Sequence, residues 1–116
     1  AASLKDFELN KTLLKVAEKS NEGKPRAINA DLLDKGFTVD GTVLINNLEA
    51  SPTLAAQMRS NPEETVPQLG RSVCSNAGFR TLMAQGATLR YSFREYKTNS
   101  PVLTQDFRAE NCQRKK

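Results

Sequence analysis

Cys74 and Cys112 are the only two thiol-bearing residues in a chain of 116 residues that contains no histidine. Sulfur in such a chain can be a nucleophile, a metal ligand or half of a disulfide. A nucleophilic cysteine needs a basic neighbour to hold it as thiolate, normally a histidine. A zinc site would need further Cys or His ligands, and the chain has none. In an oxidising compartment two cysteines usually pair, whereas in cytosol they would more often be separate buried thiols; a disulfide in an exported domain is the expectation. Closing so long a loop stabilises a small domain by roughly 4 kcal/mol.

Without histidine, Ser-His-Asp and Cys-His arrangements are impossible, and general-base work would fall to carboxylates or lysine. Gly70-Arg71-Ser72-Val73-Cys74 resembles a nucleophile elbow, but it lacks the final glycine and falls inside a predicted helix. The pairs Asp31/Asp34 and Glu63/Glu64 read as caps and solvated surface before they read as an acid and base. No glycine spacing suits a phosphate-cradling loop, and no oxygen-ligand pattern suits calcium. Asn10-Lys11-Thr12 matches a glycosylation acceptor, but within a helix and only of meaning in a eukaryote. The expectation is a non-enzymatic protein with no cofactor and no metal. An enzyme built on carboxylates or lysine is the weakest alternative.

Charge leaves room for an acidic partner, with a net +4 and a pI near 9.3. Arg90, Arg94 and Arg108, with Tyr96 nearby, are expected on the outward face of a C-terminal hairpin, and Arg114-Lys115-Lys116 would extend that surface. Such a stripe suits lipid headgroups or polysaccharide better than nucleic acid. The competing reading is that exposed arginines simply keep an outer sheet face soluble and its edge unpaired. No apolar run approaches the roughly 20 residues of a transmembrane helix. The small residues Ala1-Ala2-Ser3 are those left behind a signal-peptidase cut.

The elements that would carry these residues follow from periodicity and punctuation. Ser3 caps a helix to about Ser20 whose apolar positions, Leu4, Phe7, Leu9, Leu13, Leu14, Val16 and Ala17, recur with a period near 3.6. Strands are expected near 32 to 40 and 42 to 49, with Asp40-Gly41 as a type I′ turn. Ser51-Pro52 starts a short helix. Asn61-Pro62-Glu63-Glu64 starts another that runs to Gly86, with Asn61 as cap, Glu64 reaching back, and a kink or break near Pro67. Leu89, Tyr91 and Phe93 face inward on the next strand, and Leu103, Phe107 and Ala109 on the last. The result is one α+β domain over residues 1–116: an antiparallel sheet of about four strands, in two hairpins, covered on one face by about two or three helices.

Several features together resemble a known family. Val39-Asp40-Gly41 in a hairpin, a helix bearing Cys74 and then Arg80-Thr81-Leu82 with Gly86, a strand with Tyr91-Ser92-Phe93, and a last strand closing on Cys112 are similar to the putative quorum-sensing-regulated virulence factors. These are small exported proteins of Gram-negative bacteria. The likeness covers about residues 25 to 112 and departs from the family at Asn99-Ser100-Pro101, where a glycine is expected. It implies a secreted or periplasmic protein associated with virulence and transfers no catalytic residue. Its partner would be an unknown protein or an anionic envelope or host surface. A periplasmic chaperone, a pilotin-like protein or an enzyme inhibitor is the alternative, for which an exposed apolar groove between the helices is expected.

Overall fold

The structure, a computed structural model, describes residues 3–113. Ala1-Ala2, read above as a processing scar, and the basic run Arg114-Lys115-Lys116 lie outside the described residues. Helix α1 covers Leu4–Ser20, and Ser3 Oγ accepts the Asp6 N–H at 3.1 Å as the first half of a capping box. Strands β1 (Arg26–Asn29), β2 (Leu32–Asp40) and β3 (Val43–Ala50) follow. Helices α2 (Pro52–Ser60), α3 (Pro62–Ser75) and α4 (Ala77–Ala84) lead to β4 (Thr88–Glu95), β5 (Pro101–Phe107) and a short 3-10 helix (Ala109–Cys112).

The expected antiparallel sheet of four strands is corrected in two ways. The sheet has five strands in the order β1-β2-β3-β4-β5, and its central pair, β3 with β4, runs parallel. The connection through α2, α3 and α4 returns the chain to the end of the sheet where β3 began, so Val43 pairs with Thr88 and Ala50 with Glu95. A parallel pair needs such a crossover, and a hairpin cannot supply it. β1 escapes a pattern search because Arg-Ala-Ile-Asn does not alternate and all four residues are exposed. Pairing to β2 alone defines it.

Local signals were right in kind and sometimes displaced. Asp40 pairs with Val43, so the turn residues are Gly41 and Thr42, and only Gly41 has positive φ, at 62°. That is the pattern of a type II′ turn, not the expected I′. The helix expected from Asn61 to Gly86 is two helices. Asn76 Oδ1 accepts the Phe79 N–H at 3.0 Å and starts α4, whereas Pro67 stays inside α3. Asn61 makes no side-chain cap, because it both ends α2 and begins α3; its carbonyl accepts the Glu64 N–H instead. Gly86 fulfils its role at φ 108°, with Gly86 N–H to Met83 O and Ala87 N–H to Leu82 O closing α4 in a Schellman motif.

The helices cover one face of the sheet. Leu44 from β3, Leu89 from β4 and Phe107 from β5 meet Leu9, Leu13 and Ala17 of α1, Val73 of α3, and Leu82 and Met83 of α4. A second cluster of Leu48, Ala50 and Phe93 packs against Ala55 and Met58 of α2. Burying each large side chain contributes about 1.5–3 kcal/mol. Ala109, expected to face inward, is exposed, because the chain has left β5 for the 3-10 helix.

Candidate functional site

α1 has two apolar faces. Leu9, Leu13 and Ala17 are buried against the sheet. Leu4, Phe7 and Leu14 are left in solvent, 76%, 56% and 52% exposed. At 3.6 residues per turn, Leu4, Phe7, Lys11 and Leu14 fall within about 80° of arc, on the side of the helix roughly opposite the buried stripe. Lys11 Nζ lies 5.5 Å from the centre of the Phe7 ring. A period near 3.6 does not by itself separate these two faces, whereas the helical wheel does: seven such positions at this spacing cannot share one face. Asn10 Nδ2 donates to Gly41 O at 2.7 Å, which fixes the helix on the β2–β3 turn.

Cys74 and Cys112 form a disulfide with Cα atoms 5.3 Å apart. It joins α3 to the 3-10 helix rather than to β5 itself. Beside it a cleft of about 650 Å³ opens between α3 and β5, lined by Pro67, Arg71, Gln105 and Phe107.

Of the four residues expected to form an anionic-partner surface, Arg90 and Arg94 alternate on β4, Tyr96 follows its end, and Arg108 is exposed one residue past β5. Arg90 makes a two-pronged contact with Asp106 on the neighbouring strand, Nε to Oδ1 at 2.7 Å and Nη2 to Oδ2 at 3.1 Å. That hydrogen bond raises the Arg90 pKa and lowers that of Asp106, which Arg108 lowers further. Arg94 donates to Asn99 O at 3.0 Å, near Lys35 and Glu49, which pair with each other. Tyr96, two residues past Arg94, is 52% exposed and lines a cleft of about 260 Å³ with Leu33, Ser51 and Pro52. Acids thus interleave the arginines, and Arg90 is already neutralised by its partner. In the β4–β5 turn, where the family pattern has a glycine, Lys97 and Asn99 take positive φ instead.

A charged pair lies under the edge of the sheet. Lys24 Nζ contacts Asp34 Oδ2 at 2.5 Å, and Asp34 Oδ1 also accepts from Gly36 N–H and from Asn46 Nδ2. Burial pushes the Asp34 carboxyl up, but the Lys24, Gly36 and Asn46 contacts outweigh it and hold its pKa below the ordinary aspartate range. Tyr91 is raised by burial and by the Asp34 charge. No fully buried side-chain polar atom among the described residues lacks a partner, so this group reads as a structural brace rather than a reaction centre.

Geometry therefore defines a class: a disulfide-bonded α+β domain with a mixed five-stranded sheet, helices on one face and a first helix whose outer face carries exposed apolar residues. The chain belongs to the putative quorum-sensing-regulated virulence factor family, whose sequence model matches residues 2–113. It is 58% identical to a putative secreted protein of Pseudomonas aeruginosa, with a TM-score of 0.95 over 97% of this chain and 100% of that one. The expected export of the chain agrees with that relative. The fold also occurs in the pilotin EpsS of the Vibrio vulnificus type 2 secretion system, at 15% identity and a TM-score of 0.80 over 96% of this chain and 97% of that one. It occurs again in the type II secretion system pilotin AspS of Vibrio cholerae, at 17% identity and 0.72 over 93% and 95%. No curated protein matches the chain. None of the helices in the described residues is long and apolar enough to cross a membrane.

Proposed function

We propose that this exported protein works by binding another protein without catalysing a reaction, and that the outer face of α1 is its contact surface. The observation that carries this is the solvent-facing row Leu4, Phe7 and Leu14 on a helix that is already anchored through its opposite side. Three large apolar side chains in one row are better explained by a partner than by solvation, whereas single exposed ones need no explanation. Covering them would return about 1.5–3 kcal/mol for each fully buried side chain before ordering costs.

A pilotin-like role is the second reading. It is favoured by the fold shared with the two Vibrio pilotins. Fold likeness at that identity supports it as analogy alone.

The test is retention of envelope proteins from the encoding organism on the immobilised, oxidised chain. The reading expects a retained protein that is lost with the triple variant Leu4→Ser, Phe7→Ser, Leu14→Ser. Equal retention by wild type and triple variant would contradict it.

A further inference from the structure

The exposed row of α1 has the spacing of a coiled-coil seam. Leu4, Phe7, Lys11, Leu14 and Glu18 are separated by three, four, three and four residues, which is the alternation of a and d positions in a heptad. Leu4, Lys11 and Glu18 occupy one set, and Phe7 and Leu14 the other. All five are exposed. The flanking positions Glu8 and Lys15 are exposed as well. Neither Lys11 nor Glu18 takes part in an ion pair among the described residues.

From this we infer that the partner of α1 is an amphipathic helix of another protein, presenting apolar residues to Leu4, Phe7 and Leu14 and a carboxylate to Lys11. This rests on the protein-binding reading above and adds the chemistry of the partner. Lys11 decides it. Lys11 sits between Phe7 and Leu14 in the row, so any surface that covers those two also strips water from its ammonium group. Dehydrating an unpaired charge costs several kcal/mol, and a facing carboxylate offsets it.

A second copy of the chain fails that condition. Parallel self-pairing sets Lys11 on Lys11 and Glu18 on Glu18. Antiparallel pairing sets each position of one set against the other set, so in the register that joins Leu4 to Leu14 Lys11 faces Phe7 and again meets no carboxylate in the row. An anionic lipid surface fits poorly too, because Glu18 lies in the row and Glu8 beside it, facing the same headgroups that would attract Lys11. A partner helix with an acid opposite Lys11 and a base opposite Glu18 satisfies every position at once.

The experiment uses the full oxidised chain and two synthetic peptides of about three heptads with identical Leu a/d seams, one carrying Glu and the other Lys at the position facing Lys11. Affinity is read by fluorescence anisotropy for wild type, Phe7→Ser and Lys11→Glu, with circular dichroism confirming that each variant keeps its fold. The inference expects the Glu peptide to bind wild type about tenfold more tightly than the Lys peptide, about 1.4 kcal/mol. It also expects that order to reverse in K11E and both affinities to fall in F7S. Equal affinity for the two peptides, or binding indifferent to Phe7, overturns it. So does dimerisation abolished by F7S in sedimentation, or F7S-sensitive binding to vesicles of phosphatidylglycerol and phosphatidylethanolamine. If the peptides fail while envelope retention still depends on the Leu4, Phe7 and Leu14 row, the helical partner is wrong and the protein-binding reading stands.

Discussion

Asn21 grips the backbone of Phe37 with both ends of its carboxamide: Oδ1 accepts the Phe37 N–H at 2.6 Å and Nδ2 donates to the Phe37 carbonyl at 2.9 Å. Asn21 is the C-cap of α1 and Phe37 lies in β2, so this contact sets where the last turn of α1 meets the sheet. Asn21→Ala removes two hydrogen bonds and leaves a part-buried backbone pair unmet. The expected loss is about 2 kcal/mol by urea denaturation, with faster amide exchange in the last turn of α1.

Gly36 makes that grip possible. Its φ is 100°, and a Cβ there would lie 2.5 Å from Asn21 Oδ1. Gly36→Ala therefore meets both backbone strain and a collision with a polar atom that is held in place at both ends. A destabilisation of about 2–4 kcal/mol is expected, larger than that of Asn21→Ala, and the thermal midpoint of the variant checks the order.

Asp34 makes stability depend on acid. Its pKa is below the ordinary 3.8 in the folded chain, because the Lys24, Gly36 and Asn46 contacts outweigh the effect of burial. Asp106 is shifted in the same direction, first by its hydrogen bond to Arg90. A carboxyl depressed on folding adds stability that is complete above the unfolded value and is lost as pH falls through the folded one. Urea midpoints should thus be flat above about pH 5 and decline from about pH 4 downward. In Asp34→Asn the decline should be shallower, whereas a wild-type slope in that variant would assign the acid sensitivity elsewhere.

Removing the disulfide tests the staple. Cys74 and Cys112 are 38 residues apart, and closing a loop of that size restricts the unfolded chain by about 4 kcal/mol. The double variant Cys74→Ser, Cys112→Ser should lose about that much in chemical denaturation. Reduction of the wild type should lower its midpoint to a similar degree, and a reductant-insensitive midpoint would contradict the role given to the bridge.

Where residues signal their own local structure, the sequence was legible. Ser3, Ser51 and Gly86 marked helix ends, alternation marked β2, β3 and β4, and two cysteines without histidine marked the bridge. Long-range pairing was not written in such signals. Nothing within β3 or β4 says that they lie side by side and parallel, since that follows from how three helices pack between them. β1 has no inward face of its own to betray it. Asn76 caps a helix from inside a stretch whose periodicity hardly changes, and so hid behind the more conspicuous Pro67. At the candidate surface the reading failed differently: Leu4, Phe7 and Leu14 were visible, and only the angles between them and Leu9, Leu13 and Ala17 show that one helix faces two ways. Arg90 and Arg94 sit on the expected strand and Arg108 falls one residue past β5, but the acids that accompany them, Asp106 above all, come from cross-strand register.

The central claim, a partner protein on the outer face of α1, is tested most directly by placing a photo-reactive amino acid at position 7 and, in a second protein, at position 92 on the open sheet face. Illumination in the cell envelope should give a discrete covalent adduct with another protein from position 7 and none from position 92. No adduct at position 7, or the same adduct from both positions, would contradict it.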